Sequence, residues 1–107
     1  MREVDPDEAR RLMAEGATLL DVREVGEWRA GHAPGAVHAP LSALDSADAP
    51  RGRSLVIICR SGRRSSLAQR QLIAAGREAI NVAGGMLAWR EAGLPVITDD
   101  GAPGDIA

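Results

Sequence analysis

The chain of 107 residues contains one cysteine, Cys59, followed directly by Arg60, Ser61, Gly62, Arg63, Arg64 and Ser65. A thiol does chemistry as its thiolate, and nearby cations or a helix N-terminus lower its pKa from a reference of about 8.5. Both features are predicted here. The preceding run, Ser54-Leu55-Val56-Ile57-Ile58, is apolar and rich in β-branched residues, the pattern of a strand covered on both faces. Behind the loop, Ser65 is predicted to open a helix with Leu67, Ala68, Leu72, Ile73 and Ala75 facing inward and Gly76 ending it. Open parallel sheets bind ligands beyond the carboxyl ends of their strands, where loops lead into helices. Cys59 occupies such a place, and the main-chain N–H groups of residues 60–65 are expected to form an anion cradle around it. A lone cysteine after an apolar strand is more often a small buried hydrophobe. Three arginines behind it point instead to solvent or an anion, and favour a reactive thiolate.

The charge distribution concentrates on the same segment. Residues 51–77 carry seven arginines (51, 53, 60, 63, 64, 70 and 77) and no acid, whereas six arginines and fifteen acids elsewhere leave that remainder at −9. Every basic residue is arginine, whose planar fork suits oxyanions. A single cysteine excludes an intramolecular disulfide or a multi-cysteine metal site within this chain. No apolar leader or 18-residue apolar run is present, so no membrane is expected and the cytoplasm is the default location. Nucleic acid is not an expected partner: Trp28 and Trp89 are the only aromatics, too few to interleave with the arginines as bases require.

The length favours one compact domain, expected over residues 1–98, with a frayed tail at 99–107. Asp5, Pro6 and Glu8 form a helix start with Ala9, Leu12 and Met13 on one face, ending at Gly16. Residues 17–22 read as a short buried strand, 24–30 as a short helix, 31–35 as a turn and 36–39 as a short strand. Residues 45–53 form a polar loop, 79–82 another strand, and 86–92 a helix closed by Gly93 and Pro95. Strands alternating with helices indicate an α/β fold around a mainly parallel sheet.

The segment Cys59-Arg60-Ser61-Gly62-Arg63-Arg64-Ser65 resembles the active-site loop of rhodanese-type sulfurtransferases. Leu19-Leu20-Asp21-Val22-Arg23-Glu24, with Glu27-Trp28 and Gly31-His32-Ala33-Pro34-Gly35-Ala36, is similar to the family's N-terminal signature. Gly84-Gly85-Met86-Leu87-Ala88-Trp89 and Ala92-Gly93-Leu94-Pro95-Val96 are similar to its C-terminal one. The resemblance implies an open, mainly parallel five-stranded sheet flanked by helices on both faces. It also implies transfer of a sulfane sulfur from thiosulfate or another small anionic donor, through a Cys59 persulfide, to cyanide or to a small-molecule or protein thiol. Arg60, Ser61, Gly62, Arg63, Arg64 and Ser65 are then the substrate-binding residues, and no cofactor or metal is required. The rival activities are phosphatase and arsenate reductase; related phosphatases keep five residues between cysteine and arginine, against four between Cys59 and Arg64 here, so the loop resembles the shorter sulfur type. A partner-fed persulfide relay and a non-catalytic interaction module are the remaining alternatives, and retention of Cys59 argues against the second.

Other residues have structural expectations. Asp21 is expected to bond main chain in adjacent loops and Arg23 to pair with Glu24 or Glu27, supporting the site from a neighbouring strand. His32 and His38 match no strong zinc spacing, and both tryptophans are expected to pack. Gly62 permits a tight loop. Ser65 is either a helix cap or a hydrogen-bond donor to substrate.

Overall fold

A computed structural model describes residues 2–45, 49–51 and 53–107. Strands β1 (Glu3–Val4), β2 (Thr18–Asp21), β3 (Val37–His38), β4 (Leu55–Ile58) and β5 (Ala79–Val82) alternate with helices α1 (Pro6–Ala14), α2 (Val25–Ala30), α3 (Arg63–Ala74) and α4 (Gly85–Glu91). A 3-10 turn at Leu41–Ala43 follows β3. The strands form one sheet in the order β1-β5-β4-β2-β3, every pair parallel. After β2 the chain moves outward to β3, and after β4 it moves the opposite way to β5. The strand order therefore reverses beside β4, the position at which a parallel sheet opens a crevice.

Side-chain alternation builds a core on each face of this sheet. Leu20, Val22, Leu55, Ile57 and Cys59 pack with Ala68 and Leu72 of α3, while Leu19, Val56, Ile58 and Val82 pack with Ala9 of α1 and Met86 and Trp89 of α4. All four residues of β4 are buried, as its unbroken apolar run required. Helix α1 begins as read from the sequence, with Asp5 accepting from Glu8 N at 2.8 Å and Pro6 in its first turn.

Four expectations need correction. Helix α3 begins two residues before Ser65, and its buried face is Ser65, Ala68, Gln69 and Leu72; Leu67, Ile73 and Ala75 face solvent. Apolar residues alone misled there, because Gln69 is drawn inward to donate to Arg2 O (2.8 Å) and Ala79 O (3.0 Å). Strand β1 was not read, since two residues carry no alternation; it exists through pairing with Asn81 and Val82 of β5. The segment at 99–107, expected to fray, turns back on the body: Gly104 N donates to Val96 O and Asp105 N to Ala30 O, both at 2.9 Å, and Ile106 packs on the α1–α4 core. The polar loop at 45–53 lies partly outside the described residues, at 46–48 and 52.

The fourth correction concerns Arg23. Its guanidinium pairs with Asp21, not with Glu24 or Glu27: Nε donates to Oδ1 at 2.9 Å and Nη2 to Oδ2 at 2.6 Å, with both side chains fully buried. Nη2 also donates to Gly31 O at 2.7 Å, and Asp21 Oδ1 accepts from Arg23 N at 3.0 Å. The pair thus binds the end of β2 to the turn beyond α2. Leaving one buried charge without its partner costs about 3–5 kcal/mol. Asp21→Ala is therefore expected to lower the unfolding free energy by about that amount in urea titrations, a large part of a small domain's stability.

Candidate active site

Cys59 follows the central strand β4, and only 1% of its surface is exposed. Its Sγ accepts from Gly62 N at 3.0 Å and lies 3.2 Å from Ser65 Oγ. Gly62 is the N-cap of α3 and Ser65 its third helical residue, so the sulfur takes the position in which a capping oxygen serves the free amides of a helix start. Ser65 does not cap the helix with its own side chain; its hydroxyl is turned to the sulfur. Burial pushes the Cys59 thiol up, but the Ser65 hydroxyl and the amides of Ser65, Gly62 and Ser61 outweigh it and hold the thiol below its ordinary value.

The loop is oriented from outside by a second helix start. At the beginning of α4, Met86 N donates to Cys59 O at 2.8 Å and Leu87 N to Arg60 O at 3.1 Å. A trans peptide directs its N–H opposite its C=O, so holding Arg60 O toward α4 turns the Ser61 amide toward the sulfur. Gly85 makes this approach possible: a Cβ there would stand 2.3 Å from Cys59 O. Gly62 adopts φ +103°, a left-handed conformation suited to glycine, and Asn81 Nδ2 lies 3.3 Å from its carbonyl oxygen. Asn81 is itself held through Nδ2 to Glu3 Oε2 at 2.9 Å.

The arginines of the loop divide. Arg64 forms a forked pair with Glu27 of α2, at 2.6 and 2.7 Å, which holds that carboxyl below the usual carboxylate range against its burial. Arg60 Nε donates to Ala107 O at 3.0 Å. Arg63 is exposed and has no ion pair among the described residues. Ser61, Gly62 and Ser65 therefore meet the sulfur directly, Arg60 and Arg63 line the exposed loop, and Asp21 and Arg23 form a separate buried pair whose hydrogen bonds go to each other and to the turn after α2. Sequence reasoning missed the Glu27–Arg64 pair, Asn81 and the amides of Met86 and Leu87; the Gly84-Gly85 pair, quoted only as part of the C-terminal signature, was the available signal for the last two.

The histidines are engaged otherwise. Trp28 is stacked between His32 and His38, with ring centroids 3.7 and 4.8 Å away. His32 Nδ1 lies 2.9 Å from Trp28 O and His38 Nε2 2.7 Å from Arg23 O. Among the described residues no group of His, Cys, Asp and Glu is arranged to hold a metal ion.

A parallel sheet with a cysteine at its switch point, cradled by a helix N-terminus, defines a class that comparison makes specific. Residues 5–92 match the rhodanese-like domain, and the chain belongs to that family. It is 38% identical over 104 residues to an uncharacterized protein of Synechocystis, covering 94% of this chain and 58% of that protein. It is 32% identical over 106 residues to a sulfurtransferase of Allochromatium vinosum, covering 94% of this chain and 99% of that one. A crystal structure of a rhodanese-related protein from Thermoplasma volcanium superposes with a TM-score of 0.86 at 29% identity, covering 92% of this chain and all of that one.

The pH dependence of Cys59 alkylation tests the electrostatics. Reactivity rises as the thiol ionises, so a depressed folded pKa places the midpoint of the rate profile below that of the same thiol in the unfolded chain. Ser65→Ala removes a hydrogen bond that favours the thiolate and is expected to move the midpoint upward. An unchanged midpoint would remove Ser65 from the electrostatic account.

Proposed function

We propose that this domain is a sulfurtransferase in which Cys59 carries the migrating sulfur. The observation that carries this reading is the set of donors around Sγ, with Gly62 N at 3.0 Å and Ser65 Oγ at 3.2 Å. These donors stabilise a sulfur anion without a neighbouring base. In the first step the Cys59 thiolate attacks the outer sulfur of a sulfane donor such as thiosulfate. A Cys59–sulfur bond forms, the donor's sulfur–sulfur bond breaks, its electron pair leaves on sulfite, and the enzyme holds an anionic persulfide. In the second step a thiolate or cyanide attacks the terminal sulfur, and the electron pair returns to Cys59 as thiolate. One transfer becomes two displacements, so ping-pong kinetics are expected.

The residues assume distinct roles in this reaction. The main-chain donors of Ser61, Gly62 and Ser65, with the Ser65 hydroxyl, hold the negative charge in both states, as a preorganised site does. Arg60 and Arg63 attract the anionic donor and face the sulfite group. Arg64, committed to Glu27, joins the loop to α2 and contributes through its field. The four residues between Cys59 and Arg64 support sulfur chemistry over the larger phosphate or arsenate ions. Among the described residues no helix is long and apolar enough to cross a membrane, and the partners of the reaction are a small anionic donor and a thiol acceptor.

Intact-protein mass spectrometry after thiosulfate treatment is expected to show a gain of one sulfur that requires Cys59 and is removed by cyanide with thiocyanate release. No gain, together with Cys59-dependent hydrolysis of an aryl phosphate or reduction of arsenate, would assign the site to oxyanions. Arg60→Gln and Arg63→Gln are each expected to raise the KM for thiosulfate about tenfold, the loss of one charge-assisted contact, with little change in urea stability. Equal thiosulfate kinetics in both variants would sink the anion-binding role.

A further inference from the structure

The outer face of α3 differs from the other long helix of the fold. In α1, Arg11 pairs with Glu8 and with the C-cap Glu15, and Arg10, exposed and without an ion pair among the described residues, shares its helix with the acids Asp7 and Glu8. In α3 there is no acid at all: its charged residues are Arg63, Arg64 and Arg70. Arg64 is paired with Glu27, whereas Arg63 and Arg70 are exposed and make no ion pair among the described residues. Positions 63, 67, 70 and 74 follow one another at intervals of four, three and four, and so form a single stripe. That stripe lies opposite the buried face of Ser65, Ala68, Gln69 and Leu72. Leu67 stands between the two free arginines with 54% of its surface exposed, and Ile73 beside them with 43%.

This arrangement opposes folding in two ways. Arg63 lies in the first turn of a helix whose dipole disfavours cations there, and that turn contains no acid. Leu67 and Ile73 leave apolar surface in water between like charges. A partner offering carboxylates and an apolar side chain would relieve both, and the complementarity fixes its sign. The stripe also begins at the loop whose Gly62 N–H touches the sulfur, so anything lying along α3 has one end at that loop.

We propose that the outer stripe of α3, Arg63-Leu67-Arg70 with Ile73 at its side, is the docking surface for an acidic protein that accepts sulfur from Cys59. Carboxylates of the partner pair with Arg63 and Arg70, an apolar side chain covers Leu67, and a partner thiol is brought to the N-terminal end of the helix. There the partner thiolate takes the terminal persulfide sulfur, the Cys59 sulfur–sulfur bond breaks, and its electron pair remains on Cys59. The transfer step rests on the sulfurtransferase reading above; the docking step does not.

The test uses a labelled peptide of glutamate and leucine ending in one cysteine, its lysine-for-glutamate twin, and a single-stranded oligonucleotide, each titrated by fluorescence anisotropy against the whole chain. The acidic peptide is expected to bind at least about tenfold more tightly than its twin, with an affinity that falls as salt rises. Arg70→Glu and Leu67→Ser are expected to weaken it about tenfold and severalfold respectively, while cyanide removes sulfur from their persulfides at the wild-type rate. Circular dichroism checks that both variants keep their helices. Equal binding of the twin peptides, indifference to Arg70→Glu, or tighter Arg70-dependent binding of the oligonucleotide would each overturn the proposal. If the acidic peptide binds but takes sulfur from the persulfide no faster than its twin, the acceptor role is overturned. A chain that forms no persulfide yet binds the acidic peptide through Arg70 would defeat the sulfurtransferase reading and retain the surface.

Discussion

Burying the Cys59 sulfur almost entirely out of water while favouring its ionised form is the constraint on which the arrangement around β4 depends. A buried thiolate without donors would simply take up a proton, because desolvation favours the neutral form. The compensation is led by the Ser65 hydroxyl, and the amides of Ser65, Gly62 and Ser61 converge on Sγ with it. Amides converge only if the carbonyls of the same peptides are satisfied elsewhere. The start of α4 meets that need for Cys59 and Arg60. Two helix N-termini thus cooperate, one donating to the sulfur and the other to the backbone that surrounds it.

That cooperation explains several features that look unfavourable taken singly. A left-handed Gly62 and a Gly85 that admits no Cβ bring the loop within reach of α4. Arginines in the first turn of α3 oppose its dipole, and one of them is offset by Glu27 of α2. Glu27 also accepts from Glu24 N at 3.2 Å, so the anchor of the loop is part of the start of another helix. The buried Asp21–Arg23 pair fixes β2 and the turn after α2, which keeps that helix in place. Local losses at the loop are therefore met by contacts distributed over three neighbouring elements.

The strand of four buried residues, the capped start of α1 and the position of Cys59 were legible in the sequence because each rests on local chemistry. An apolar β-branched run, an Asp-Pro start and a cysteine next to a glycine need no distant partner to be interpreted. The inward face of α3 was misread because Gln69 is buried by two carbonyls, Arg2 O and Ala79 O, that are far away or on another element. Arg23 was assigned to its helical neighbours, yet a fully buried guanidinium is bound by the carboxylate two residues earlier and by Gly31 O. Arg64 and Glu27 are 37 positions apart, and no spacing rule joins them. The docked segment at 99–107 was missed for the same reason, since its order comes from hydrogen bonds to Val96 and Ala30 rather than from its own composition.

Because the nucleophile is tuned by the Ser65 hydroxyl and three main-chain amides, its protonation does not require the loop arginines. Arg60 and Arg63 make no hydrogen bond to Sγ and can change without moving the Gly62 amide, provided the loop keeps its path between α3 and α4. The donors of residues 61, 62 and 65 then set the state of the thiol, while the exposed arginines of the loop and α3 face what approaches it. Such a separation suits the two displacements of the proposed reaction. The anionic donor needs a cationic mouth, and the acceptor needs a surface on which to align; the first is built from the loop and the second from the helix that the loop begins. Both draw on Arg60, Arg63 and Arg70 of the acid-free segment 51–77, whereas Arg53 and Arg77 of that segment bond to Gly16 O and Ala49 O at the opposite end of the parallel sheet.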